Sequence, residues 1–244
     1  MLQKTNGIVL RSIKYGDSSL VTTIFTSVYG VQTYMVQGVR SAKQRQNRAG
    51  SFQPGTILEL VVYQQPQKNM QRIREFQAAY IYNGLQENVI KNSIVIFSVE
   101  LLLRLLPEHA PLPALFDFAS EYLVALDKKN INEIANFPLY FIIKCSRMLG
   151  FDLKGNYSKQ TPHLDMEEGG FTENTPSMAH ATTEDDARAL NELLKTENYE
   201  TLKNTEINGA ARLRLIDWYI IFLQRHTQYM GTIRSLPVLR AILH

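Results

Sequence analysis

Residues 7–36 read GIVLRSIKYGDSSLVTTIFTSVYGVQTYMV. Three runs rich in β-branched residues, Gly7–Ile13, Ser19–Thr26 and Val31–Val36, are separated by the turn signals Tyr15-Gly16-Asp17 and Tyr29-Gly30. Two further runs of the same kind follow, Thr56–Tyr63 and Met70–Phe76. No helical pattern alternates with these five strands, which argues against a parallel α/β sheet and for a small barrel. In Val31–Val36 the alternation groups Val31, Thr33 and Met35 on one face and sets Tyr34 opposite them, which predicts an exposed Tyr34.

Between the third and fourth runs lies Gly38–Pro54, GVRSAKQRQNRAGSFQP, with Arg40, Lys43, Arg45 and Arg48 and no acidic residue. Residues 1–76 hold ten Lys/Arg against three Asp/Glu, whereas the whole 244-residue chain carries a net charge of only +3. A basic loop on a small β-domain suits a phosphate backbone, whose neutralisation is independent of base sequence and sensitive to salt. The expected fold is a five-stranded OB-fold barrel, a type that binds single strands with one face and its loops. Arg40, Lys43, Arg45 and Arg48 are the expected backbone contacts, with Arg11, Lys14, Arg72 and Arg74 extending the surface. Tyr15, Tyr34, Tyr63 and Phe52 are the aromatic residues available for base stacking, the alternative for each being barrel core.

From about Asn88 the period becomes helical, with Ile90, Ile94, Phe97, Leu101 and Leu105 on one stripe ended by Pro107 and Pro111. Further helices are expected over Leu112–Leu126 and within Ile131–Leu149, with Pro138 in the first turn and Gly150 at the C-terminal cap. Thr183-Glu184-Asp185-Asp186 reads as a capping-box start, Asn208–Tyr229 as the last long helix and Ser235–Leu243 as a helical tail. Residues 151–181 read as a loop. The class is therefore α+β: an OB-fold domain over 1–80 and an α-helical domain over 81–244. Residues 207–244 hold five arginines against Asp217 alone. Lys144, Arg147, Arg212, Arg214 and Arg225 are expected to meet an acidic partner or a second DNA surface, or else to be solvated helix faces.

The single cysteine, Cys145, sits in an apolar helical pattern and is expected to be a buried structural thiol in a reducing compartment. No apolar stretch of ~20 residues is present to span a bilayer and no signal peptide is evident, so a cytoplasmic protein is expected. No phosphate-binding loop, G-x-S-x-G, H-E-x-x-H or C-x-x-C occurs, which favours a non-catalytic protein.

The opening TNGIVLRSIKYGDSSLVTTIFTSVYGVQTYMVQGVRSAK, with its Gly38-Val39-Arg40-Ser41 turn, resembles the start of the RecO family of bacterial recombination mediators. PGTILEL (54–60), FIIKCSRMLGFDL (141–153), EEGGF (167–171) and HTQYMGTIRSLPVL (226–239) resemble later phrases of that family in the same order. The resemblance implies a nucleoid-associated protein that binds single- and double-stranded DNA and anneals complementary strands. It further implies action with RecR, recognition of the C-terminal tail of the single-stranded DNA-binding protein, and indirect help to RecA in loading. The alternative is a helical protein-interaction adaptor whose barrel is only structural. Many members of the family carry a four-cysteine zinc site around the G-G-F loop. Residues 151–181 here contain no cysteine and leave only His163, His180, Asp165, Glu167 and Glu168, which implies a zinc-free variant without a cofactor.

Overall fold

The structure, a computed structural model, describes residues 1–39, 48–65, 67–175, 182–228 and 230–243. Five strands, β1 (Leu2–Tyr15), β2 (Ser19–Thr26), β3 (Gly30–Val36), β4 (Ile57–Tyr63) and β5 (Met70–Ala78), close into a barrel in the order β1-β2-β3-β5-β4. Strand β1 is longer than its apolar run suggests because it serves two neighbours. Leu2–Ile8 pairs with β4 and Gly7–Tyr15 with β2, and a bulge between Val9 and Arg11 bends the strand between them. The pairs are antiparallel except β3 with β5, where Thr33, Tyr34 and Met35 run parallel to Met70, Gln71 and Arg72. This is the five-stranded OB-type barrel that the sequence predicts.

Val9, Leu20, Ile24, Tyr34, Val36, Leu58, Leu60 and Val62 fill the barrel, and Val39 and Phe52 seal one end. The interior leaves no room beside Gly7, where a Cβ would lie 2.5 Å from Ile24 Cγ2. Tyr34 corrects the expected facing of β3. It is fully buried, and its hydroxyl donates to Gln32 Oε1 at 2.8 Å. Met35 is the residue turned outward, and Val31, on the same side, is buried only because it is covered by the bridge it forms with Glu108.

The strands give way to helices near residue 80, but the first compact unit continues to Lys128, and the second spans Lys129–His244. Helix α1 (Val89–Leu105) is capped by Asn88, whose Oδ1 accepts from Lys91 N at 3.0 Å, and α2 (Pro113–Lys128) follows. Both close the barrel: Phe116 meets Phe25 edge to face at 5.5 Å, and a Cβ on Gly55 would touch Val95. At the end of α2 the buried carboxylate of Asp127 accepts from Asn83 N, Leu85 N and Tyr80 Oη at 2.9 to 3.1 Å. Lys91 Nζ reaches the Asp127 carbonyl at 2.7 Å. This one residue thus fixes the connection between the last barrel strand and the first helix.

In the second unit α3 (Phe137–Met148) starts with Pro138 in its first turn, and Gly150 follows with φ 87°. It packs against α6 (Gly209–His226), capped by Asn208, with α7 (Leu236–Ile242) after it. Trp218 is core, and Cys145 is fully buried, which pushes its thiol well above its ordinary pKa. The 151–181 segment is not simply a loop: β6 (His163–Asp165) and β7 (Gly170–Thr172) form a hairpin. Strands of three residues are too short to display an alternation. The short α5 (Tyr199–Lys203) is also unheralded by the sequence.

Helix α4 (Glu184–Leu194) begins with the expected capping box between Thr183 and Asp186. Asp186 is fully buried and also accepts Arg214 Nε and Nη2, each at 2.8 Å. Burial raises its carboxyl pKa, but the Arg214 and Thr183 hydrogen bonds outweigh that and hold it below the ordinary carboxylate range. A depressed pKa stabilises the fold fully above the unfolded-state value and loses that stabilisation as pH falls through the folded one. Urea unfolding should therefore show this contribution intact at neutral pH and fading below about pH 4, and Asp186→Asn should remove that part of the acid limb.

Candidate nucleic-acid interface

The register of the closed barrel lines up side chains that are distant in sequence. One row across the outer surface reads Leu2, Tyr63, Arg72, Met35, Val21 and Ile13, each registered with the next. A second row reads Arg11, Thr23, Thr33 and Met70. Residues registered across strands share a face, and all of these are exposed or half-buried. Ile13, Tyr15, Tyr63 and Met70 are large apolar side chains left 47%, 55%, 42% and 38% exposed, so the belt is a contiguous apolar and aromatic surface rather than scattered residues.

Four cations lie on or near this belt. Arg72 lies within it, Arg11 at its edge and Lys68 on the β4–β5 loop, while Lys14, registered with Leu20 and so on the opposite face of β1 from Ile13 and Tyr15, stands exposed at the end of the barrel. None of the four has an ion-pair partner among the described residues. The loop is held by Gln71, whose side chain bonds both the N–H and the carbonyl of Gln65 and the carbonyl of Lys68. Met35, Lys68, Met70, Gln71 and Arg72 thereby line a shallow concavity of about 330 Å³. The rest of the outer surface differs in character. On β4 and β5 Glu59 accepts from the neutral amide of Gln77 at 2.5 Å and keeps its negative charge, while Arg74 pairs with Glu75 at 3.2 Å. An aromatic and cationic strip can stack unpaired bases while neutralising their phosphates.

Of the sequence candidates, Arg11 and Arg72 are brought together on the belt, Lys14 lies at the barrel end on the other face of β1, and Arg74 is set apart with Glu75. Tyr15 and Tyr63 are exposed, whereas Tyr34 and Phe52 belong to the core and cannot stack on a base. Arg40, Lys43 and Arg45 lie outside the described residues, as does the side chain of Arg48, which begins a 3-10 turn ending at Phe52. The described residues on either side, Val39 and Phe52, are buried. Val36 pairs with Leu20 and Leu20 with Lys14, so the loop leaves the barrel at the end that carries Lys14 and Tyr15. Lys68, Ile13, Met35 and Met70 carry no signal in the sequence, because only cross-strand register places them together.

The cations of the second unit are mostly engaged. Arg212 donates to Asn136 Oδ1 at 2.9 Å and to the Ile207 carbonyl at 2.7 Å, and Arg214 grips Asp186. These two hold helix ends rather than a free surface. Arg225 meets Glu167 at 3.2 Å, and Arg147 meets Asp152 at 3.2 Å and the Leu194 carbonyl at 3.4 Å. Lys144 has no ion-pair partner among the described residues and lies 5.4 Å from the centroid of the Tyr140 ring. Burial and the neighbouring Arg147 lower its pKa. No helix among the described residues is long and apolar enough to cross a membrane.

The family model described as recombination protein O N terminal matches residues 1–82, and that of recombination protein O C terminal matches residues 86–158. The chain is 31% identical over 244 residues to the DNA repair protein RecO of Flavobacterium psychrophilum, covering 98% of both chains. It is 29% identical to that of Bacteroides fragilis and 27% identical to that of Azobacteroides pseudotrichonymphae, covering 99% of each chain in both cases.

Proposed function

The chain belongs to the RecO family, which acts in DNA repair and recombination, and from that premise we propose that it is a recombination mediator working through the outer belt of its barrel. Unpaired bases lie on Tyr15, Ile13 and Tyr63, and phosphates meet Arg11, Lys14, Lys68 and Arg72 together with the basic loop of Arg40, Lys43, Arg45 and Arg48. Cations serve single and double strands alike, whereas the apolar belt serves only bases that are unpaired. Annealing then needs no acid, base or nucleophile: it needs two like-charged strands neutralised and held while their bases pair. With RecR, the protein promotes RecA loading onto DNA coated by the single-stranded DNA-binding protein. The acidic tail of the latter approaches Lys144, which has no ion-pair partner among the described residues, with Arg147 and the exposed Met148 beside it. The observation that carries the reading is the registered apolar row, with cations around it that have no ion-pair partner among the described residues.

Binding to oligo-dT and to a duplex of equal length should be measured across a salt series. Replacing Arg11, Lys14, Lys68 and Arg72 with alanine is expected to flatten the salt dependence for single strands by about 0.7 for each phosphate no longer neutralised. Tyr15→Ala and Tyr63→Ala should each weaken oligo-dT binding about tenfold and leave duplex binding nearly unchanged, stacking being worth ~1–3 kcal/mol per base. Equal affinities and slopes for all variants would move the DNA surface off the barrel. A wild type that fails to bind either substrate at low salt would favour the adaptor reading instead.

A further inference from the structure

We infer that residues 151–172 close onto α6 as a metal-independent clasp, in the region where the resemblance implies a zinc site in many relatives. The donors present do not suit zinc, which takes thiolate or imidazole ligands at about 2.0–2.3 Å in a tetrahedron. The chain's one cysteine is buried in α3. Among the described residues no three His, Cys, Asp or Glu side chains lie close enough to share an ion. His180 lies outside the described residues. Two of the three acids of the hairpin are already employed. Asp165 Oδ1 accepts the N–H groups of Glu167 and Glu168 at 2.7 and 2.6 Å, and Glu167 pairs with Arg225.

What holds the segment is visible in its place. The β6–β7 hairpin is extended on its β7 side by Lys154, whose N–H donates to the Gly169 carbonyl at 2.9 Å and whose carbonyl accepts from Phe171 N at 3.0 Å. Trp218, Phe222 and His226, spaced four residues apart on α6, form one column. Trp218 and Phe222 stack at 5.6 Å, and Phe222 and His226 lie 4.6 Å apart. The hairpin turn is seated on that column. His226 Nε2 donates to the Met166 carbonyl at 2.9 Å, and Leu164 and Met166 are buried. The two glycines of EEGGF make the approach feasible. A Cβ on Gly169, whose φ is +69°, would lie 2.9 Å from the Phe222 ring, and one on Gly170 would lie 2.5 Å from the Lys154 carbonyl oxygen. The C-terminal family model stops at residue 158, before the hairpin, so this clasp lies outside the part of the chain that it describes.

A closure without thiolates is indifferent to chelators and to thiol oxidants. The full-length protein, purified with no added metal, should contain far less than one zinc per chain, and its melting temperature should be the same in EDTA and in zinc sulfate. Hydrogen exchange of the wild type should protect the Lys154 and Phe171 amides, and Gly169→Ala should lower that protection about tenfold or more. His226→Ala should lower it by a smaller factor. Stoichiometric zinc together with a melting temperature that drops in EDTA would overturn the inference. So would amide protection at Lys154 and Phe171 that neither substitution alters.

Discussion

Asp127→Ala should destabilise the protein by about 3–5 kcal/mol, the largest loss expected of any single truncation here. Asp127 is only 6% exposed, and its carboxylate takes the N–H groups of Asn83 and Leu85 and the Tyr80 hydroxyl. Removing it strands the N–H of fully buried Leu85 where water does not reach, along with the donors of half-buried Tyr80 and exposed Asn83. Each buried donor left without a partner costs about 1–3 kcal/mol. Asp127→Asn keeps the shape and one acceptor oxygen but turns an NH₂ toward another donor, so it should recover only part of the loss. Urea unfolding followed by circular dichroism tests this, and a change below about 1 kcal/mol for the alanine variant would contradict the account. Because the segment from Tyr80 to Leu85 links barrel and α1, exchange of its amides should accelerate in the same variant.

Gly30→Val should cost about 3–5 kcal/mol, for a different reason. Gly30 has φ 67°, and a Cβ there would sit 2.2 Å from the Ala110 carbonyl oxygen and 2.8 Å from the Ala110 nitrogen. The obstacle is backbone, so no rotamer change can relieve it. The turn after α1 would have to leave the barrel and give up the His109 N–H bond to the Val31 carbonyl, 3.0 Å long, and the Glu108–Val31 bridge. Gly38→Ala provides the control. Gly38 has φ 73°, yet nothing lies within 4 Å of its added Cβ. That substitution should cost only the conformational strain, about 1 kcal/mol. Thermal melts of the two variants separate steric collision from strain, and equal losses would mean that the Ala110 approach is unimportant.

The strands are legible in the sequence because each carries its own alternation between glycine-marked turns, and most helices because their caps and proline positions are local. Thr183 with Asp186, Asn208, and Pro138 in a first turn are read from neighbouring residues. What depends on register is not legible. Nothing in the sequence near Ile13 announces Arg72, yet the two share one row through Val21 and Met35. The facing of Tyr34 is hidden because two apolar residues of its strand point to the opposite face, and the cover over Val31 comes from residues far along the chain. The arginines of α6 look alike in sequence, but the structure gives Arg214 a buried carboxylate and Arg212 an asparagine and a carbonyl. Asp127 does leave a local trace: a carboxylate at a helix C-terminus opposes the helix dipole, which points to a distant use.

The divided pairing of β1 also sets an order of assembly. As the chain emerges from the ribosome, β1, β2 and β3 can form a meander at once, because they are joined by tight turns. The free half of β1 and the outer edge of β3 then wait, since their partners β4 and β5 are made only after the basic loop. During that interval two strand edges stand unpaired beside apolar side chains, which is the condition for mispairing between nascent chains. Closure comes when β4 pairs with β1 and β5 lies alongside both β4 and β3. The loop from 38 to 54 is therefore also the tether whose length sets how far the late strands must search, and shortening or stiffening it would alter the yield of native protein in the cell.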